Sequence, residues 1–121
     1  MKGIIIGAGR GRRLMPLTED CPKCFAEING KRILDWSLEA LRAGGLQEIV
    51  FIGGYQIDRV RAEYPQLQFR HNVNWERNNI LASLFHAEAD MDRGFVCTYA
   101  DILFRPRVVQ RLMQSPYDIT L

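Results

Sequence analysis

The stretch Lys2-Gly3-Ile4-Ile5-Ile6-Gly7-Ala8-Gly9-Arg10-Gly11-Arg12-Arg13-Leu14, with Pro22-Lys23 downstream, decides how this chain is read. Ile4 to Ile6 is an apolar run of the kind found in a buried strand. It opens into a loop with glycines at 7, 9 and 11 and arginines at 10, 12 and 13. Glycine tolerates positive φ and lets backbone N–H groups approach a ligand closely. Successive N–H groups in such a turn form an anion-binding concavity. Arg10, Arg12, Arg13 and Lys23 add positive charge around it. A strand, a glycine-arginine loop and then a lysine make a layout suited to a triphosphate.

Two common phosphate motifs do not account for it. The P-loop string G-x-x-x-x-G-K-[ST] does not occur. The dinucleotide fingerprint G-x-G-x-x-G requires a third glycine and an acidic residue about 20 residues on. Counted from Gly7 the third glycine position is Arg12, and counted from Gly9 it is Leu14. The next expected strand ends in Gly53-Gly54, where the ribose-binding acid would stand. A dinucleotide-binding dehydrogenase domain is therefore disfavoured.

The pattern that does fit is Gly9, Gly11, Arg13, Leu14, Pro16, Leu17, Thr18, Pro22 and Lys23, in that order. It resembles the nucleotidyltransferases that make sugar nucleotides and CDP-alcohols. Further on, Asn78-Asn79-Ile80-Leu81-Ala82-Ser83-Leu84 resembles the N-N-x-x-S-L segment of the phosphocholine cytidylyltransferase branch. Tyr99-Ala100-Asp101 resembles the strand end that carries the family's metal-binding aspartate. The resemblance implies a glycosyltransferase-A-like, Rossmann-like α/β fold. It also implies an enzyme that transfers a nucleotidyl group from an NTP to a phosphorylated acceptor, with Mg2+ as cofactor and release of pyrophosphate.

The spacing of apolar and breaker residues agrees with an α/β class. Strands are expected at Lys2–Ile6, Glu48–Ile52, Gln66–His71 and Gly94–Tyr99, with another beginning at Asp118–Leu121. Helices are expected at Ile33–Ala43, Asp58–Tyr64, Asn79–Ala89 and Arg105–Met113. The third helix would bury Ile80, Leu81, Leu84 and Phe85 on one face. Strands separated by helices imply a three-layer, mostly parallel sheet with helices on both faces. Residues 1–121 read as one nucleotide-binding part of a single domain. Members of the resembling family are about twice this length, so the chain is expected to be cut short on its C-terminal side, with a second metal-binding aspartate and much of the acceptor site elsewhere.

Composition sets outer bounds. With 47% hydrophobic and 25% charged residues the chain is an ordinary globular sequence. A net charge of +2 is too small to imply a nucleic-acid partner. No apolar run approaches membrane-spanning length and Met1-Lys2 opens no signal peptide, so a cytoplasmic location is expected. Cys21-Pro22-Lys23-Cys24 has the spacing of a redox pair or half a zinc site. It follows a long polar loop rather than a strand, and no second ligand pair exists, so reduced thiols are expected. An unpaired sheet edge would favour self-association.

Roles follow from chemistry and from the resemblance together. Gly7, Ala8, Gly9 and Gly11 would bring backbone close to the base, sugar and phosphates. Arg13 would clamp the β- and γ-phosphates through its planar fork, and Lys23 would hold the α-phosphate and the acceptor phosphate as a point charge. Asp101 would hold the metal beyond a strand end. Tyr55, after Gly53-Gly54, would border the base. Asn78 and Asn79 would cap the helix that follows, one of them also meeting nucleotide or acceptor. Tyr99 stands where the family often has a second acid. Trp75, Tyr99 and Tyr55 are the aromatics available to a quaternary ammonium. His71 and His86 show no ligand spacing. The expected substrates are an NTP, with CTP first, and a small phosphorylated alcohol such as phosphocholine. A hexose 1-phosphate acceptor with dTTP or UTP is the alternative within the class, and a non-catalytic nucleotide-binding module the alternative outside it.

Overall fold

The computed structural model describes residues 1–11, 15–16 and 19–121. Strand β1 is Lys2–Gly7. A 3-10 turn at Lys23–Phe25 precedes a two-residue hairpin, β2 (Glu27–Ile28) and β3 (Lys31–Arg32). There follow α1 (Ile33–Ala43), β4 (Ile49–Gly53), α2 (Ile57–Glu63), β5 (Gln68–His71) and α3 (Ile80–Phe85). A 3-10 turn at Glu88–Asp90 leads to β6 (Phe95–Tyr99) and α4 (Pro106–Gln114).

The main sheet is four-stranded in the order β5-β4-β1-β6, and every pairing in it is parallel. Both faces of its central strands are buried, as βαβ crossovers require. Ile4, Ile6, Val50 and Ile52 point to one face and pack with Ala87, Leu84 and Met91. Ile5, Ile49 and Phe51 point to the other and pack with Leu34, Leu38 and Leu41 of α1, Val60 of α2 and Val109 of α4. The period-2 alternation of side chains along a strand makes this division. The α/β class with helices on both faces is therefore the architecture found. Among the described residues no helix is long and apolar enough to cross a membrane.

Strand order positions the site. From β1 the chain builds outward through β4 to β5, then returns to the other side of β1 as β6. The direction of winding reverses between β1 and β6. Ligand crevices in open α/β sheets lie beyond the strand carboxyl ends at such a switch point. The segments there are Ala8-Gly9 after β1 and Ala100-Asp101 after β6.

Two expectations are corrected. Asp118–Leu121 is no strand: it runs through a bend, with Ile119 and Leu121 exposed. Ser115 Oγ accepts from Tyr117 N and bonds the Thr120 hydroxyl, so local side-chain bonds curl this segment instead of a ladder extending it. The third helix ends at Phe85 rather than Ala89, and Ile80, Leu81 and Phe85 are all more than half exposed. Of the expected apolar face only Leu84 packs against the sheet, while Ser83 is buried. Polar bonds orient this short helix, as the site shows.

Candidate functional site

A cleft of about 260 Å³ opens at the switch point. Ala8 and Gly9 form one side, Lys23 and Asp101 another, and Asn78, Asn79 and Tyr99 also line it. Trp75, Ile80, Ser83 and Ile6 complete the wall. Seven of the residues read from sequence thus meet here from four separate segments of the chain.

Backbone bonds hold those segments together. Tyr55 N donates to Ala8 O at 2.9 Å, joining the loops after β4 and β1. Ala100 N donates to Ile6 O at 2.9 Å, and Asn72 N to Gly53 O at 2.8 Å, extending two strand pairings past their ends. These bonds fix the described backbone segments around the cleft relative to one another.

Lys23 is placed by its neighbours on both sides. It opens the 3-10 turn, in which Phe25 N bonds Pro22 O, and buried Cys24 and Phe25 anchor that turn in the core. Gly11 has φ of +70°, and a Cβ there would stand 2.8 Å from Lys23 Cβ. The glycine therefore leaves room for the lysine stem. Lys23 Nζ lies 3.8 Å from Asp101 Oδ2, with side-chain exposures of 19% and 43%. Such a long, partly wet pair is weak and can be displaced by a better partner for either charge. Cys24 is 1% exposed, and burial pushes its thiol up to about 12. Cys21 packs against the same core cluster. The Cys21-Pro22-Lys23-Cys24 segment holds the lysine, and its buried thiol is the opposite of an activated one. Among the described residues there is no disulfide, and no three His, Cys, Asp or Glu side chains converge on a metal position.

Gly7 and Tyr55 stand behind the cleft. Gly7 ends β1 with Phe51 and Ala100 side chains occupying the space beside it. The Tyr55 hydroxyl donates to Glu19 O at 2.9 Å, and its ring meets Trp75 edge-on at 5.6 Å. The Arg10 guanidinium sits 5.3 Å above the same ring. Trp75, rather than Tyr55, reaches the cleft, because Gly54 leaves room for it: a Cβ there would lie 2.6 Å from Trp75 Cβ. Arg13 lies outside the described residues, as do Arg12, Leu14, Leu17 and Thr18.

The far wall is polar. Asn79 caps α3, its side chain accepting from Ala82 N at 3.0 Å. Asn78 and Ser83 are both tied to Asn72, which the sequence offers only as one polar residue among several after β5. Three residues separate Asn79 from Ser83, not the two of the N-N-x-x-S-L segment, so Ala82 occupies that segment's serine position.

The sequence matches the MobA-like NTP transferase domain over residues 3–120. It is 33% identical to the CTP:phosphoglutamine cytidylyltransferase of Campylobacter jejuni, covering 100% of this chain and 51% of that protein. It is 30% identical to the choline-phosphate cytidylyltransferase of Streptococcus pneumoniae, covering 97% and 52%. Identity to the UTP--glucose-1-phosphate uridylyltransferase AglF of Haloferax volcanii is 31%, covering 98% and 51%. The solved structure of the Streptococcus pneumoniae CTP:phosphocholine cytidylyltransferase superposes with a TM-score of 0.73 at 29% identity, over 88% of this chain and 49% of that one. A Methanothermobacter nucleotidyl transferase shares the fold with a TM-score of 0.76 at 19% identity. The chain spans about half the length of the curated relatives it matches. The chain belongs to the family of MobA-like NTP transferase domains.

Proposed function

We propose that this chain is the nucleotide-binding part of a Mg2+-dependent nucleotidyltransferase that joins an NMP, with CMP first, to a small phosphorylated alcohol such as phosphocholine. The observation that carries this reading is the meeting of Lys23 and Asp101 across a cleft floored by Gly9, at the sheet's switch point. An acceptor phosphate oxygen would attack the α-phosphorus, the bond to the β-phosphate oxygen would break, and pyrophosphate would leave. Transfer of this kind needs positioning and charge neutralisation more than covalent help. Lys23 would bear on the α-phosphate, and the Ala8-Gly9 backbone would lie against the nucleotide. Arg13 is assigned to the leaving phosphates by the family pattern alone.

Asp101 suits part of a magnesium site. It presents one exposed carboxylate in the cleft, and Mg2+ takes one or two carboxylates together with phosphates and waters. Bound there, the ion would neutralise phosphate charge. The names of the first two relatives support cytidylyl transfer. The Haloferax volcanii relative favours the second reading, a UTP-dependent hexose 1-phosphate uridylyltransferase. The outer edge of β6, which pairs with no other described strand, is where we place self-association, to be read by sedimentation equilibrium.

The test is the thermal stability of the chain with CTP, UTP, dTTP, GTP and NAD, each with and without Mg2+. Ligands that bind the folded state raise its Tm. A rise with CTP and Mg2+ above that with NAD is expected. No rise with any NTP contradicts the reading. Pyrophosphate release with CTP and phosphocholine, against UTP or dTTP and glucose 1-phosphate, separates the two acceptor classes.

A further inference from the structure

Asn72 follows β5 and is fully buried at the carboxyl edge of the sheet. A backbone donor fixes the sense of its amide. Asn74 N lies 3.2 Å from one side-chain atom, and a backbone N–H can only donate, so that atom is Oδ1. The other is Nδ2, which donates to Asn78 Oδ1 at 2.9 Å and to Ser83 Oγ at 2.8 Å. Oδ1 also accepts from Asn78 Nδ2 at 2.9 Å. Two protons and two lone pairs, the whole capacity of the amide, are used.

Asn72 does not line the cleft, but both of its side-chain partners do. The reciprocal amide pair occupies one proton and one lone pair of Asn78. The remaining N–H and lone pair of that amide are then held in a set direction. Ser83 Oγ accepts from Asn72, so its own proton is turned elsewhere. Filling this space would not require an amide, since an apolar side chain of similar volume could pack there. What the amide adds is polarity: it decides which edges of Asn78 and Ser83 can face a ligand. A fully satisfied buried network specifies one arrangement, and breaking it leaves costly orphans.

We infer that Asn72 is a positioning residue of the nucleotide site, acting through Asn78 and Ser83 to set the donor and acceptor pattern shown to the bound NTP. This rests on the nucleotide reading above. The test is an NMR titration of the 15N-labelled chain with CTP and Mg2+, for wild type, Asn72→Ala, Asn78→Ala and the double variant. Asn72→Ala is expected to raise Kd about tenfold. The double variant should be no weaker than the worse single one, because both changes remove the same arrangement. The Asn78 side-chain NH2 signals should move on binding in wild type. A Kd within about twofold of wild type for folded Asn72→Ala overturns the inference, as do effects that multiply in the double variant. Asn72→Asp keeps the shape and one acceptor but loses both donors. It is measured in parallel against the same limit, and failure of both variants to fold would make Asn72 a folding residue instead. Lys23→Ala separates the two claims. Weakened binding there with unaltered binding in Asn72→Ala sinks the positioning role alone, whereas a wild-type chain that binds no NTP contradicts the nucleotide reading and removes the positioning role with it.

Discussion

Lys23 and Asp101 face each other at 3.8 Å, one delivered by a turn between β1 and α1, the other by the end of β6. Neither charge is held tightly by the other, and both border the cleft. A loose, partly exposed pair of opposite charges leaves each group open to a better partner.

Removing the cation should therefore weaken nucleotide binding and leave the fold alone. Lys23→Ala is expected to cost about 1.5–3 kcal/mol of NTP binding, roughly tenfold to a hundredfold in Kd. Calorimetry or NMR titration reads this directly. Unchanged affinity in the folded variant would remove Lys23 from the site.

Removing the carboxylate should act in opposite directions with and without metal. In Asp101→Asn a negative charge near the triphosphate is lost, so metal-free CTP should bind more tightly, by on the order of 1 kcal/mol or about fivefold. With Mg2+ present the variant should bind more weakly than wild type, if Asp101 is the metal-holding carboxylate proposed above. The pair of titrations checks this. The same fold-change under both conditions would show that Asp101 makes no contact with metal.

At the opposite end of the sheet, Asp90 is 2% exposed and accepts from Lys2 Nζ at 2.9 Å and from Arg70 Nε and Nη2 at 3.0 and 2.9 Å. Burial pushes its carboxyl up, but hydrogen bonds from Lys2 and Arg70 outweigh that and hold it below the usual carboxylate range. A depressed folded value means the proton binds better to the unfolded chain. The stabilisation is full above about pH 4 and is lost as pH falls through the folded value. Asp90→Asn should cost about 2 kcal/mol at neutral pH, since both partners are partly exposed, and lower Tm by about 10 °C. The gap between variant and wild type should close below pH 4. A gap that stays constant down to pH 2 would contradict this account.

The buried thiol gives a chemical check on the packing. Cys24, 1% exposed and pushed up to about 12, should resist Ellman's reagent in the native protein at pH 8 and react once guanidinium opens the core. Cys97 is exposed on the edge strand β6, so it should label in the native protein well before Cys24. Immediate labelling of Cys24 under native conditions would mean that the turn carrying Lys23 is not packed as described.

Much of the fold was legible because its signals are local. Ile4–Ile6, Ile49–Ile52 and Phe95–Tyr99 are apolar runs of strand length, and Ile33–Ala43 carries helical spacing ended by Gly44-Gly45. The hairpin at Glu27–Arg32 was missed, though Asn29-Gly30, with φ of 54° and 73°, is a strong turn signal. Its strands are two residues long and offer no alternation to read. Strand order was not legible, because the pairing of β1 with β6 joins distant segments. Of the residues that line the cleft, motif and strand-end logic name Lys23, Asp101 and the Ala8-Gly9 backbone. Asn72 was not, since its partners at Asn78 and Ser83 converge on it only in space. Beside that convergence, Ile80, Leu81 and Phe85 of α3 stay more than half exposed, against their apolar spacing, and Ile80 lines the cleft.

One nucleotide is proposed to occupy the cleft at the β1–β6 switch point. Backbone 1H–15N shifts of the chain titrated with CTP and Mg2+ test it most directly. Perturbations are expected to concentrate at Ala8, Gly9, Lys23, Asn78, Asn79, Tyr99 and Asp101, with Lys2, Asp90 and Gly94 at the opposite sheet end unmoved. Saturable shifts confined to that opposite end, or no shifts at millimolar CTP, would contradict it.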